Sequence, residues 1–241
     1  MTLFKSHNPA YPDGGQMRDF VHVDDAVAVV LWLLDHPEVN GLYNIILNRT
    51  PDPAGGAAAV SYLKNGGSVA GLAAGLLNSV EYETGVVASY YQAFLQRAGS
   101  SAEIAAWVAA MQKGLTEEQV AADFLNSAEF NTLFPADTTF VQALYGDVLG
   151  RPPSSSEVSA WLGRMNVGLT RAQVVSAFLS APEADTRGLG GLYGIILGRP
   201  VDSSSQSAGI AALQSGVTLV QLATVVFGSA EFTERANATV G

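Results

Sequence analysis

Two oppositely charged residues recur along this chain at a fixed separation. An arginine is followed 32 residues later by a glutamate four times, as Arg49 and Glu81, Arg97 and Glu129, Arg151 and Glu183, and Arg199 and Glu231. The two residues can form an ion pair, or they can act separately, as a cation at a helix end and as a cap. Both roles are structural, so the pattern predicts no catalytic residue here.

Side chains that perform acid–base, thiolate or metal chemistry are scarce. The chain has no cysteine, and its three histidines, His7, His22 and His36, all precede residue 43. We therefore predict no catalytic residue and no metal ligand in the remaining sequence. Asp52 and Asp202 could bind Ca²⁺ as an alternative. Ca²⁺ requires about six to eight oxygen ligands, however, and these two positions also suit helix caps.

The charged pair belongs to a longer repeated pattern that starts at a tyrosine. A leucine follows after four residues, the arginine after six, a glycine after 23 and the glutamate after 38; the tyrosines are Tyr43, Tyr91, Tyr145 and Tyr193. This self-similarity predicts tandem repeats. We place unit 1 at residues 43–85, unit 2 at 86–133, unit 3 at 137–185 and unit 4 at 186–235.

Each unit is predicted to contain three helices. The first ends at the Tyr-x-x-x-Leu-x-Arg pattern, with the arginine in its last turn. The second begins at an N-cap nine residues after the tyrosine and ends at a glycine; the caps are Asp52, Ser100, Ser154 and Asp202, and the glycines are Gly66, Gly114, Gly168 and Gly216. The third begins at Ser68, Thr116, Thr170 or Thr218 and closes on Phe-Leu-Asn-Ser-Ala-Glu-Phe (124–130) and its equivalents. Because strand signals are nearly absent, we predict an all-α fold of four three-helix repeats.

Residues 1–42 do not follow the repeat. They predict a loop, a short extended segment at 20–23 and one extra helix at 24–35, which could cover the exposed face of unit 1. Residues 1–20 are expected to lack a packed partner. Pro37 and Gly41 should break the first helix of unit 1, which would then lack its first half.

Composition limits the classes of partner. The net charge is −10 and 48% of residues are hydrophobic. Nucleic acid and anionic membrane surfaces are disfavoured, since both require clustered basic residues. The longest apolar stretch, Ala26 to Leu34, is too short to span a bilayer, and no signal peptide is visible. Gly67, Gly71 and Gly75 could mark a lipid-like helix contact, but a tight contact between helices in water is the favoured interpretation.

The repeat resembles the bacterial family called domain of unknown function 4214. The resemblance is carried by Leu-Tyr-x-x-Ile-Leu-x-Arg-x-Pro-Asp-Pro-Ala-Gly at 42–55, by Trp-Val/Leu at 107–108 and 161–162, and by the 124–130 motif. It covers about residues 43–235. It implies a binding or scaffolding module without an assigned activity or cofactor, typical of secreted or cell-surface proteins. The implied partner is an unidentified protein or cell-envelope component.

Residues 2–44 resemble the ADP-L-glycero-D-manno-heptose 6-epimerase family. The resemblance is carried by Leu3 to His7 and by Arg-Asp-Phe-Val-His-Val-Asp-Asp at 18–25. It implies a cytoplasmic, NADP-dependent enzyme whose nucleotide-sugar substrate would contact Phe4, Lys5, Ser6, His7 and Arg18.

The catalytic parts of that enzyme family are not found in this sequence. The glycine-rich turn that binds NADP and a Tyr-x-x-x-Lys pair are both missing. We therefore expect an inactive fragment without cofactor, joined to the repeats by fusion or as an artefact. A truncated or fused epimerase is the alternative function.

Overall fold

The computed structural model describes residues 36–238, and this part of the chain contains fourteen helices and no strand. The helices are α1 (Pro37–Leu47), α2 (Pro53–Lys64), α3 (Val69–Leu77), α4 (Val80–Leu95), α5 (Ser101–Met111), α6 (Glu117–Asn126), α7 (Ala128–Leu133), α8 (Asp137–Asp147), α9 (Ser155–Asn166), α10 (Arg171–Leu179), α11 (Pro182–Leu197), α12 (Ser203–Gln214), α13 (Leu219–Phe227) and α14 (Ala230–Ala238). The predicted all-α fold is confirmed. None of these helices is both long and apolar enough to cross a lipid bilayer.

Local sequence signals start and end most helices as predicted. The side chains of Asp52, Ser100, Ser154 and Asp202 each accept a hydrogen bond from the backbone N–H three residues later. Reciprocal capping boxes are present at Ser100 with Glu103 and at Ser154 with Glu157. The four predicted glycines have φ between +87° and +109°, a region that side chains with a Cβ rarely adopt. The N-cap residues and these glycines therefore determine where α2, α5, α9 and α12 begin and end.

The end of the third helix was predicted too late. In the 124–130 motif, α6 ends at Asn126, and Ser127 is already the N-cap of α7. Ser79 and Ser229 are likewise N-caps of the following helices α4 and α14. The recurring glutamates therefore lie in the first turn of the next helix, where a carboxylate suits the helix dipole. The predicted unit boundaries at 85/86 and 185/186 consequently fall inside α4 and α11.

The arginine position was also misassigned. Arg49 and Arg97 lie after the helix, beyond a C-cap residue in the left-handed conformation, Asn48 or Gln96. In units 3 and 4 the left-handed position is a glycine, Gly150 or Gly198. The left-handed residue turns the chain out of the helix, so the arginine side chain is free to reach a neighbouring helix.

The predicted break at Gly41 is wrong, although α1 does begin at Pro37 and, with 11 residues, is shorter than α4 and α11 with 16 each. Pro37 is in the first turn of α1, where proline is tolerated, and the helix continues through Gly41. A Cβ at Gly41 would lie 3.3 Å from Cζ of Phe232. Glycine is therefore present at this position because α14 packs closely against α1.

Gly67, just before α3, and Gly71 in α3 form a tight contact within the protein. A Cβ on Gly67 or Gly71 would lie within 2.5 Å of the Tyr62 ring or hydroxyl. Tyr62 therefore packs over both glycines, as the favoured interpretation predicted. Gly75 has no neighbour within 4 Å of such a Cβ.

Two separate hydrophobic cores hold the helices together. The inner core contains buried residues between Val87 and Phe178, and α6 packs along α10 in it. The outer core combines residues 39–77 with residues 196–232, and α3 packs along α13 in it. Units 2 and 3 thus share one core, while units 1 and 4, far apart in sequence, share the other.

Packing of α14 on α1 closes this arrangement into a ring. In the inner core the rings of Phe130 in α7 and Phe140 in α8 are in contact, and Phe130 precedes Phe232 of the outer core by 102 residues. The tyrosines Tyr43 and Tyr145 are separated by the same interval, so the second half of the chain repeats the packing of the first. The expected helix at 24–35, the extended segment at 20–23 and residues 1–20 lie outside the described residues.

Candidate functional site

The most regular polar feature is a Tyr–Arg–Glu group that occurs four times. In each group two guanidinium nitrogens of the arginine donate to both carboxylate oxygens of the glutamate, with Nη2–Oε2 distances of 2.8 to 3.0 Å. The guanidinium carbon lies 4.8 to 5.3 Å from the tyrosine ring centre. The ion pairs predicted from the spacing are therefore present, and each joins the end of one helix to the start of the third helix after it.

Units 2 and 3 add a second carboxylate to the group. Arg97 also donates to Glu103 and Arg151 to Glu157, each at 2.7 Å. These hydrogen bonds lower the pKa of Glu103 and of Glu157 to about 2. In units 1 and 4 the second acid is Asp52 or Asp202, at 3.3 Å and 3.5 Å. The network is therefore tighter in the two inner units.

Removing one arginine should change stability only modestly. The paired arginine and glutamate side chains are each between 35% and 49% exposed to solvent, so water and salt weaken the ion pairs. We expect Arg151→Met to lower Tm by roughly 1–3 °C, and Arg199→Met, which loses the weaker second acid, by less. Thermal unfolding at low and high salt checks this. A Tm unchanged in Arg151→Met at low salt would contradict a stabilising role.

A cavity of about 430 Å³ lies where units 1, 2 and 4 meet. Its walls include the carboxylates of Glu83, Glu117 and Glu118 together with Thr116 and Gln221. Nε2 of Gln112 donates to Glu83 at 2.8 Å, and the Leu219 N–H donates to Oε1 of Glu118 at 3.2 Å. Oε2 of Glu118 is buried without a hydrogen-bond partner among the described residues. Glu118 thus links α6 to the start of α13.

Glu117 is the most perturbed carboxyl of this cavity. Burial, followed by the nearby Glu118, raises the pKa of Glu117 to about 7, while a hydrogen bond from the Tyr82 hydroxyl opposes the shift. Burial and the neighbouring Glu117 in turn raise the pKa of Tyr82. The sequence contains no signal for this cluster, because Glu83 lies on a different helix from Glu117 and Glu118, which have the pattern of ordinary first-turn residues.

The remaining candidate residues have simple positions. Asp52 and Asp202 cap α2 and α12 and contact an arginine. Among residues 36–238 no group of three or more metal-binding side chains is arranged around a common point. Phe4, Lys5, Ser6, His7 and Arg18, the substrate contacts implied by the epimerase resemblance, lie outside the described residues.

Comparison with protein families gives two different matches. Residues 85–187 match DUF4214 twice. The matched segments are 85–134 and 135–187, and the family is described as "Domain of unknown function (DUF4214)". Residues 4–45 match the "NAD dependent epimerase/dehydratase family". Both resemblances noted in the sequence are confirmed for these ranges, and the count of four repeats stays a prediction.

The two DUF4214 segments coincide with the aromatic inner core. The ring centre of Phe124 lies 4.8 Å from that of Tyr91 and 5.2 Å from that of Trp107. The ring centre of Phe178 lies 4.9 Å from that of Tyr145 and 5.1 Å from that of Trp161. At the positions equivalent to the tryptophans, the outer units have Ala59 and Gly209. The outer units therefore lack the large side chains that most clearly mark the DUF4214 segments.

Curated relatives match the start of the chain. Proteins named ADP-L-glycero-D-manno-heptose-6-epimerase are 58% identical over 45 residues in Nitratidesulfovibrio vulgaris (strain DP4) and 68% identical over 44 residues in Alkalilimnicola ehrlichii. These alignments cover 19% and 18% of this chain, and only 14% and 13% of the relatives. No solved structure matches the chain significantly.

Proposed function

We propose that the helical part of this protein is a non-enzymatic scaffold that binds a protein or a cell-envelope component. The proposal rests on the observation that the recurring polar residues of the repeat bind one another. Each tyrosine, arginine and glutamate of the repeat contacts another member of the same group, which leaves them fixed between helices. Repeated groups of this kind support a rigid surface rather than a reaction.

Exposed apolar side chains provide the surface for such contacts. Val167, Ile195 and Val225 are 87%, 62% and 69% exposed. Large apolar side chains with this exposure are favourable at protein interfaces. A partner that covers one of these side chains would gain hydrophobic contact without any change in the helix beneath it.

The alternative is a truncated or fused NADP-dependent sugar-nucleotide epimerase. It is favoured by the match at residues 4–45 and by the names of the curated relatives. The chain spans about one seventh of the length of those relatives, at 14%, so their activity is a proposal for this protein.

Titration of the full chain with NADPH separates the two functions. A scaffold without a nucleotide site should leave NADPH fluorescence unchanged up to about 1 mM, a concentration at which even a weak cofactor site fills. Saturable binding of NADPH, or epimerisation of an ADP-heptose, would overturn the scaffold proposal. The same chain unfolded in urea, at equal concentration, controls for non-specific fluorescence changes.

A surface-dependent capture tests the scaffold directly. The immobilised chain should retain a partner from a bacterial envelope extract, and Ile195→Asp with Val225→Asp should reduce retention at unchanged helicity. Equal retention by this variant would place the contact elsewhere on the surface.

A further inference from the structure

The ends of the first helices differ in how their last carbonyl groups are bound. In unit 3, Nη1 of Arg187 donates to the carbonyl oxygens of Asp147 and Val148 at 3.0 Å and 2.9 Å. In unit 4, Nη1 of Arg235 donates to the carbonyls of Ile195, at 2.9 Å, and Ile196. Arg187 lies in α11 and Arg235 in α14, in each case the third helix after the one whose end it binds. A cation at this place is favoured by the unpaired carbonyls and the negative end of the helix.

The equivalent arginine is replaced by glycine beside unit 1. Arg187 and Arg235 each lie four residues after the recurring glutamate, and the residue at that position in α4 is Gly85. A groove of about 310 Å³ opens there, lined by Ile46, Leu47, Asn48, Glu81, Tyr82 and Gly85. A Cβ on Gly85 would meet nothing within 4 Å. The end of α1 therefore has the carbonyls of the site but no side chain of α4 to bind them.

We infer that this groove, the α1-end groove, binds an arginine side chain of a partner protein. Two copies of the site inside the same chain show that a guanidinium is the group this helix end accepts. One guanidinium nitrogen can donate to two successive carbonyls, as Nη1 of Arg187 does. The net charge of −10 favours a basic partner over an acidic one. This inference rests on the proposed scaffold function and names one contact of its partner.

Asn48 sets how closely the guanidinium can approach. In unit 3 the corresponding residue is Gly150, and a Cβ there would lie 2.5 Å from Nε of Arg187. Asn48 has such a Cβ, so an incoming guanidinium must lie farther out than Arg187 does. Since Asn48 has φ of +52°, glycine is fully compatible with its backbone. Asn48→Gly should therefore tighten binding without disturbing the fold.

The test uses the isotope-labelled full chain and a short peptide, acetyl-Ala-Arg-Ala-amide, followed by amide chemical shifts. We expect saturable shifts confined to residues 45–49 and 81–89, with a Kd on the order of millimolar. Asn48→Gly should lower the Kd about threefold, and Gly85→Arg, which supplies the guanidinium from α4, should raise it at least about tenfold. Gly85→Ala is the matched control and should bind as the unaltered chain does.

Three results would overturn the inference. They are equal shifts with the citrulline peptide, which has no positive charge, unchanged binding in Gly85→Arg, and peptide shifts centred elsewhere. Shifts at the groove that depend on protein concentration without peptide would assign it to a second copy of this chain instead. Each result is independent of NADPH titration and of envelope capture, so this inference and the proposed function can fail separately.

Discussion

Replacing Phe232 with alanine is expected to unfold the outer core while the inner core remains folded. Phe232 is 1% exposed, packs edge-on against Phe227 at 5.1 Å and lies against Gly41 of α1. Removing a buried phenylalanine ring costs about 3–5 kcal/mol, a large part of the roughly 5–15 kcal/mol that stabilises a typical domain. The two cores share no buried residue, so this loss should fall on one of them.

Two spectroscopic signals can follow the cores separately. Trp107 and Trp161 pack against the inner core, so their fluorescence reports units 2 and 3, whereas circular dichroism reports all helices. Trp32→Phe should be introduced into every variant so that only these two tryptophans emit. In Phe232→Ala we expect an early loss of helicity without a fluorescence change, followed by a second transition seen by both signals.

Phe130→Ala is the matched control. Phe130 is fully buried, contacts Phe134 and Phe140 at 4.8 Å and 5.9 Å, and occupies the inner-core position equivalent to Phe232. Its loss should shift the fluorescence transition to lower temperature. If both variants instead unfold in one transition with coincident signals, the four units form a single cooperative structure. The two cores would then not be independently stable.

The sequence predicted the local structure well because its signals are local. Capping residues act within three positions, as at Ser154 and Glu157, and a glycine such as Gly168 determines its own φ. The Arg–Glu pairs were predictable although 32 residues separate them, because the spacing recurs. Because the motif is repeated, these long-range Arg–Glu contacts could be predicted from the sequence.

Closure of the ring was not predictable from the sequence. It depends on the approach of α14 to α1, and Gly41, which permits that approach, reads in the sequence as a helix breaker. The same holds for the acidic cavity, whose members become neighbours only when units 1, 2 and 4 meet. Contacts between distant segments without a recurring spacing leave no pattern in a single sequence.

Stability is expected to fall as the pH rises from about 4.5 to 7, and Glu117 should account for much of the fall. The folded protein raises the pKa of Glu117 from an ordinary 4.5 to about 7, because burial disfavours the carboxylate. In this window the folded chain retains a proton that the unfolded chain releases, so the free energy of unfolding decreases with pH. A shift of this size corresponds to a cost on the order of 3 kcal/mol above pH 7.

Glu117→Gln should remove that cost, because an amide stays neutral at every pH and can still accept the hydrogen bond from Tyr82. We expect this variant to match the unaltered chain near pH 4 and to exceed it at about pH 8, with a Tm several degrees higher. Urea unfolding at these two pH values measures the difference. Burial also raises the pKa of Asp147, to about 6, and Asp147→Asn should remove a further part of the slope.

Stability at low pH provides an internal check on the sign of the Glu117 effect. Glu103 and Glu157 have pKa values of about 2, so their contribution is complete above about pH 4.5 and is lost as the pH falls toward 2. Glu117→Gln should leave this loss unchanged, and so should Glu234→Gln, an exposed control in α14. If Glu117→Gln proves less stable than the unaltered chain at pH 8, the Glu117 carboxylate must be stabilised by contacts that outweigh its burial. The cavity would then be a site adapted to negative charge rather than one that resists it.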